Sequence, residues 1–165
     1  GIDISTGSLG QGLSCAVGMA LAGKRDHKDY MVYAVVGDGE ADEGQIWEAV
    51  MAAYRYQLDN LVVIIDNNGL QIDGTTDEIM PQLDLTKKFD AFGYDTYEID
   101  GHNMEQIMET FDKIHAAKDG RPKFINAHTV KGKGVSYMEN QLAWHGMAPN
   151  DEQYQQAMRE LEEGI

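Results

Sequence analysis

The chain has 165 residues and a formal net charge of −15, from 13 Lys and Arg against 28 Asp and Glu; hydrophobic residues make up 42% and charged residues 25%. That is the composition of a folded chain rather than a disordered one, and the length sets an expectation of one domain, 1–165. The acidic balance disfavours a nucleic-acid backbone or an anionic membrane as partner, no apolar run reaches the roughly 20 residues that span a bilayer, and one cysteine allows neither an internal disulfide nor a thiolate metal cluster, so a reducing, cytoplasmic setting is expected.

The chain opens at Gly1-Ile2-Asp3 with no initiator Met and no signal-peptide pattern, and the expectation is a truncated, processed or partly observed piece of something larger. Residues 9–22, rich in Ala, Gly and Leu behind a glycine turn, predict a buried helix in which Cys15 reads as a small core residue. A β-branched run at 31–36 predicts a buried strand that stops at Gly37-Asp38-Gly39. Helical spacing of Ile46, Ala49, Val50, Ala53 and Tyr54 predicts a helix over 41–58, and 61–65 predicts a second buried strand running into Asp66-Asn67-Asn68-Gly69. A shorter helix at 85–92, a strand at 94–99, a helix at 104–117 capped by Asn103 and a strand at 124–127 follow. A long loop over 129–149 and a surface helix over 151–161 complete the pattern, and the scattered methionines read as core filler.

Strands alternating with helices predict an α/β fold, a mostly parallel β-sheet flanked by helices. In such sheets ligands sit at the carboxyl ends of the strands. Those ends are Gly37-Asp38-Gly39-Glu40, Asp66-Asn67-Asn68-Gly69, Asp100-Gly101-His102 and His128-Thr129-Val130.

The first of them precedes a predicted helix, whose free N–H groups and positive dipole end favour a phosphate. Gly39 lets the backbone approach an anion, and Asp38 can hold a divalent cation beside it. A plain strand-to-helix turn explains the same three residues, and Asn68-Gly69 taken alone is a tight turn. Together the two segments say more. Asp38 and Asn68 lie 30 residues apart, one β-α-β unit, so adjacent parallel strands bring both to one edge of the sheet. A carboxylate, an amide oxygen and a main-chain carbonyl are hard donors that suit magnesium when two phosphate oxygens and a water complete the shell.

At this point the sequence resembles a known family. The GDG segment followed by NNGLQIDG is similar to the thiamine diphosphate fingerprint, and STGSLGQGLS at 5–14, GDGEADEGQIWEA at 37–49, KGKGVSYMEN at 131–140 and WHGMAPND at 144–151 resemble bacterial transketolase, above all the N-terminal subunit of split transketolases. The resemblance covers nearly the whole chain. It implies the thiamine diphosphate-binding fold, and an enzyme that moves a two-carbon ketol unit from a ketose phosphate to an aldose phosphate, as in the pentose phosphate pathway. Its cofactors would be thiamine diphosphate and Mg2+ or Ca2+. The partners implied are a pyrimidine-binding C-terminal subunit, in a homodimer or heterotetramer, and sugar phosphates; no nucleic acid or membrane is expected.

Residue by residue, the resemblance makes Asp38 and Asn68 metal ligands through their side chains and Leu70 through its carbonyl. Gly37 belongs to the same turn, and Gly39 and Glu40 would meet the diphosphate through backbone N–H. Gly7, Ser8 and Leu9 would line the cofactor's ring region, although the family usually has Pro at the position of Ser8. Ile72 would pack near the thiazolium. His145 matches a histidine that reaches the diphosphate and the substrate's reacting end. Glu43 and Glu48 match a buried pair linking the two active sites of a dimer, on a face shared with Trp47; without the resemblance they read as a solvated acidic flank. Lys131 and Lys133 suit either a sugar phosphate or a solvated loop, and His102 and His128 read as structural or supporting groups.

The glutamate that activates the aminopyrimidine and several substrate histidines are expected outside this chain, which alone should be inactive. Two rivals stand beside this reading: 1-deoxyxylulose-5-phosphate synthase, which shares the GDG and Asn fingerprint, and a non-catalytic folded module. A Rossmann nucleotide site fares poorly, because no GxGxxG follows a strand in the required arrangement.

Overall fold

In a computed structural model, which describes residues 1–117 and 119–164, the expected alternation is present. Helix α1 (Gln11–Arg25) leads to strand β1 (Val32–Gly37), a 3-10 turn (Gly39–Asp42) and α2 (Gly44–Arg55). Strand β2 (Leu61–Asn67) is followed by a small hairpin, β3 (Leu70–Gln71) and β4 (Gly74–Thr75), then by α3 (Thr76–Ile79) and α4 (Leu85–Ala91). Next come β5 (Asp95–Asp100), α5 (Met104–Ala116), β6 (Lys123–His128), a second 3-10 turn (Leu142–His145) and α6 (Asp151–Glu163). Asn103 caps α5 as expected, its side chain accepting the Gln106 N–H. No helix among the described residues is long and apolar enough to cross a membrane.

The main sheet has the order β1-β2-β6-β5 and is parallel throughout. Its register aligns the carboxyl ends: Gly37 lies opposite Asp66, Asn67 opposite His128, and Asp100 opposite His128. On one side of the sheet Val32, Ala34 and Val36 of β1 and Leu61, Val63 and Ile65 of β2 pack with Leu13, Ala16 and Ala20 of α1, Ile46 and Val50 of α2, and Phe89 of α4. On the other side Val62, Ile125, Ala127 and Ile99 meet Ile114 of α5. Central strand β6 is buried from Lys123 to Ala127, as a parallel strand covered on both faces should be.

Several expectations need correction. The first helix starts at Gln11, two residues late, so Leu9 lies outside it. Its apolar stripe is Leu13, Ala16, Val17 and Ala20, and Cys15 falls off that stripe and is exposed. The helix expected over 41–58 is broken, because Glu43 is extended and separates the 3-10 turn from α2. Trp47 turns into the core rather than onto the face of Glu43 and Glu48: its ring packs on Phe89 and Phe92, and its Nε1–H donates to the Ala41 carbonyl at 3.0 Å. The methionines are largely surface residues; Met51, Met104, Met108 and Met147 are all more than half exposed.

The densest part of the core is aromatic. Phe89 is fully buried, stacked on Phe124 with centroids 3.7 Å apart and edge-on to Tyr94 at 5.2 Å. This cluster ties α4 to β6 and to the start of β5. Phe89→Ala is expected to lower the free energy of unfolding by about 3–5 kcal/mol in urea denaturation; a loss within about 1 kcal/mol would show that the cluster is not what holds α4 on the sheet.

Candidate functional site

Asp38 stands just beyond β1 and is 1% exposed. Its Oδ1 accepts the Gly39 N–H at 2.8 Å, and its Oδ2 accepts the Gly69 N–H at 2.6 Å from beyond the end of β2. The Asp38 N–H donates to the Asp66 carbonyl at 3.2 Å. One side chain therefore joins two strand exits. Burial is the largest influence on this carboxyl and pushes it up; the Gly69 and Gly39 amides pull it down, Asp66 pushes it up again, and the balance lies above the ordinary carboxylate range. A carboxyl raised in the fold ionises more readily in the unfolded chain, so its charge opposes folding as pH rises past that range. A divalent cation beside it would reverse the sign, competing with the proton for the same oxygens.

Around Asp38 lies a shell of polar contacts that sequence reasoning does not assign. The Glu40 carboxylate accepts the Gly10 N–H at 2.8 Å and the Gly37 N–H at 3.4 Å, so it ties the glycine turn before α1 to the end of β1. Buried Gln82 donates through Nε2 to the Asp38 carbonyl at 3.1 Å and to the Asp42 carboxylate, which also accepts from Gln71 Nε2 at 3.3 Å. Gln82 is 44 residues from Asp38 in a loop, and no local pattern marks it. Asp42 lies inside the GDGEADEGQIWEA segment and is legible only as part of it.

Asn68 sits in the turn after β2. Its Oδ1 accepts the Leu70 N–H at 3.0 Å, which leaves a second lone pair on that oxygen, and its Nδ2 faces Asp66 Oδ2 at a long 3.5 Å. The other Asp66 oxygen accepts the Thr129 hydroxyl from the end of β6. Asp38, Asn68 and Leu70 are thus gathered at one edge, on the Asp38–Gly69 and Asn68–Leu70 bonds. Among the described residues no three His, Cys, Asp or Glu side chains cluster as a metal site. The donors at this edge are a carboxylate, an amide and a main-chain carbonyl, a set that fits a hard cation such as magnesium or calcium. The approach is close: a Cβ on Gly39 would lie 2.8 Å from Cβ of Gln71, so only glycine fits between the turn and the hairpin.

The remaining candidates are less tightly placed. Gly7, Ser8 and Leu9 form the exposed lead into α1, where the Ser8 carbonyl accepts the Gln11 N–H at 3.2 Å. Ile72 is 67% exposed between β3 and β4. His145 ends the second 3-10 turn, exposed, and the structure draws it into none of the Asp38 or Asn68 contacts among the described residues. Glu43 and Glu48 are exposed on this chain, Glu43 at the N-cap of α2. Lys133 pairs with Glu139 at 3.6 Å, and Lys131 is half-buried. His128 bonds Glu98 at 2.6 Å, and His102 accepts the Val130 N–H at 2.8 Å, so each braces a neighbouring strand end.

A parallel sheet with a buried carboxylate, an Asn turn and a glycine-tight approach at its carboxyl edge is the arrangement the sequence led one to expect of an α/β ligand-binding domain. The chain belongs to the family of transketolase thiamine diphosphate-binding domains, whose model matches residues 1–162. It is 50% identical over all its residues to one of the subunits of an apulose-4-phosphate transketolase from Phocaeicola vulgatus, and 49% identical over 162 residues (98% of the chain) to the 6-deoxy-6-sulfo-D-fructose transketolase subunit SqwG of a Clostridium species. The chain spans 58% of the length of each. Among solved structures it superposes on the transketolase of Campylobacter jejuni with a TM-score of 0.90 at 30% identity, covering 98% of this chain and 26% of that one.

Gly39→Ala is expected to push the 3-10 turn off the hairpin and to cost about 1–3 kcal/mol in chemical denaturation, the usual range for overpacking. An alanine variant as stable as the parent would contradict the tight approach.

Proposed function

We propose that this chain is the diphosphate- and cation-holding part of a transketolase. The observation that carries the reading is the Asp38 carboxylate bonded to both Gly39 and Gly69, which fixes the metal-ligand candidates of two strands at one edge. Asp38 and Asn68 would hold magnesium through side-chain oxygens and Leu70 through its carbonyl. The backbone N–H groups of Gly39 and Glu40 would meet the diphosphate, on the turn that Gly37 begins. Gly7, Ser8 and Leu9 would line the cofactor's ring region, and Ile72 would pack near its thiazolium.

Thiamine diphosphate, when bound, supplies the electron sink for carbon–carbon cleavage in transfer of a two-carbon ketol unit. The chain's own residues anchor and orient. A cation held by Asp38 would serve as a template that neutralises the diphosphate rather than as an acid acting on the sugar. Lys131, Lys133 and His145 are carried on the 129–149 segment, which leaves β6 at the same sheet edge, and would meet the anionic end of a sugar and the diphosphate. Relatives carry names that specify two different anionic sugars, so the proposal stops at ketose donors and aldose acceptors bearing a phosphate or a similar group.

A pyrimidine-binding subunit is the proposed partner, in a dimer or heterotetramer. The exposed flank of α2, with Glu48, Met51 and Tyr54, suits such a contact, and Glu43 and Glu48 would become buried there. A reducing, cytoplasmic setting fits the single free cysteine.

Calorimetric titration of thiamine diphosphate tests the reading, on the chain alone and co-expressed with a pyrimidine-domain subunit. Binding should require magnesium, vanish with EDTA and vanish in Asp38→Ala. Metal-independent binding, or binding that survives Asp38→Ala, would overturn it. Ketol transfer should need the partner; donor turnover by the pure chain would contradict the division of labour.

A further inference from the structure

The 129–149 segment leaves the sheet between two neighbouring strand ends, and its first residues are held from both sides. From β2, the Asn67 carbonyl accepts the Thr129 N–H at 3.1 Å and Asp66 accepts the Thr129 hydroxyl. From β5, the Gly101 N–H donates to the His128 carbonyl at 2.7 Å, and His102 Nε2 accepts the Val130 N–H at 2.8 Å. That last bond defines the role of the imidazole: an amide N–H donates only to a bare ring nitrogen, so Nε2 is the acceptor.

His102 is itself fixed. Its backbone N–H donates to Asp100 Oδ1 at 2.9 Å, and the Asn103 N–H donates to the Asp100 carbonyl at 3.1 Å. The turn lies flush on the end of β6, since a Cβ on Gly101 would stand 2.5 Å from Thr129 Cγ2 and 3.1 Å from the His128 carbonyl oxygen. Beyond Val130 the chain folds on itself: the Lys133 N–H donates to the Val130 carbonyl at 3.1 Å and the Asn140 N–H to the Lys131 carbonyl at 3.0 Å. Farther along, the loop is bound to α6, where Glu160 accepts the Ser136 N–H at 2.6 Å and the Gln153 carbonyl accepts the Tyr137 hydroxyl at 2.7 Å; Val130 is therefore the joint between the sheet and a unit made of this loop and α6.

We propose that His102 is a positioning residue: its imidazole, by accepting the Val130 N–H, sets the direction in which the loop bearing Lys131, Lys133 and His145 leaves the sheet. The catalytic meaning of that direction rests on the function proposed above.

Hydrogen exchange of the Val130 amide in the full, cofactor-free chain reads the bond directly. His102→Ala should speed that amide about tenfold, the scale of one hydrogen bond, with β2 and β6 amides unchanged. His102→Gln, whose side-chain carbonyl can accept in place of Nε2, should restore protection. Equal Val130 exchange in the parent and His102→Ala, or no rescue by Gln, would each overturn the proposal. Because no cofactor is present, failure here leaves the functional reading standing, and failed thiamine diphosphate binding leaves this bond standing.

Discussion

The site depends on one buried carboxylate shared between two strand ends. Asp38 reaches from the end of β1 to the Gly69 amide beyond β2, and the parallel register makes that reach possible by setting Gly37 opposite Asp66. The rest of the edge is arranged around it. Gln82 holds its carbonyl, Glu40 holds the glycine turns on either side, and the hairpin presses Gln71 against Gly39. Burial pushes the Asp38 carboxyl up against the pull of its two amide donors, a desolvation cost that those bonds only partly offset. The cation proposed for the site would remove it, so binding and local stability are one equilibrium here.

Much of this is legible in the sequence, for physical reasons. The β-branched runs and the apolar helix spacing fix a period, and the period fixes which residues face the sheet. The 30-residue separation of Asp38 and Asn68 is one crossover unit, and the structure places them just beyond the ends of neighbouring parallel strands. What escapes is long-range or one-sided. Gln82, Asp66 and Thr129 act through single side-chain bonds to distant segments, and nothing in their neighbours along the chain announces those bonds. Trp47 and Cys15 depart from expectation because composition places a residue on a helix but not on a face of it; Cys15 misses the α1 stripe, while Trp47 finds an aromatic pocket made by α4. Glu43, Glu48 and His145 remain exposed on this chain, and the roles proposed for them would need surfaces outside it.

An acidic chain that binds a diphosphate has a charge problem, with a formal net charge of −15. The solution is local. In the proposed reading, backbone amides, a cation and the lysines on the loop after β6 would supply the positive potential where the anion sits, and the acidic surface elsewhere would keep non-specific polyanions away. The placement of that loop matters for the same reason, and it is set at its root by Asp66 from one side and His102 from the other.

The central claim is that Asp38, Asn68 and Leu70 hold one cation together. Crystals of the chain grown with thiamine diphosphate and manganese, examined by anomalous diffraction, test it most directly. A single manganese ligated by the Asp38 carboxylate, the Asn68 amide oxygen and the Leu70 carbonyl is the result the account predicts. Manganese bound elsewhere, with Asp38 still closed on the Gly39 and Gly69 amides, would contradict it.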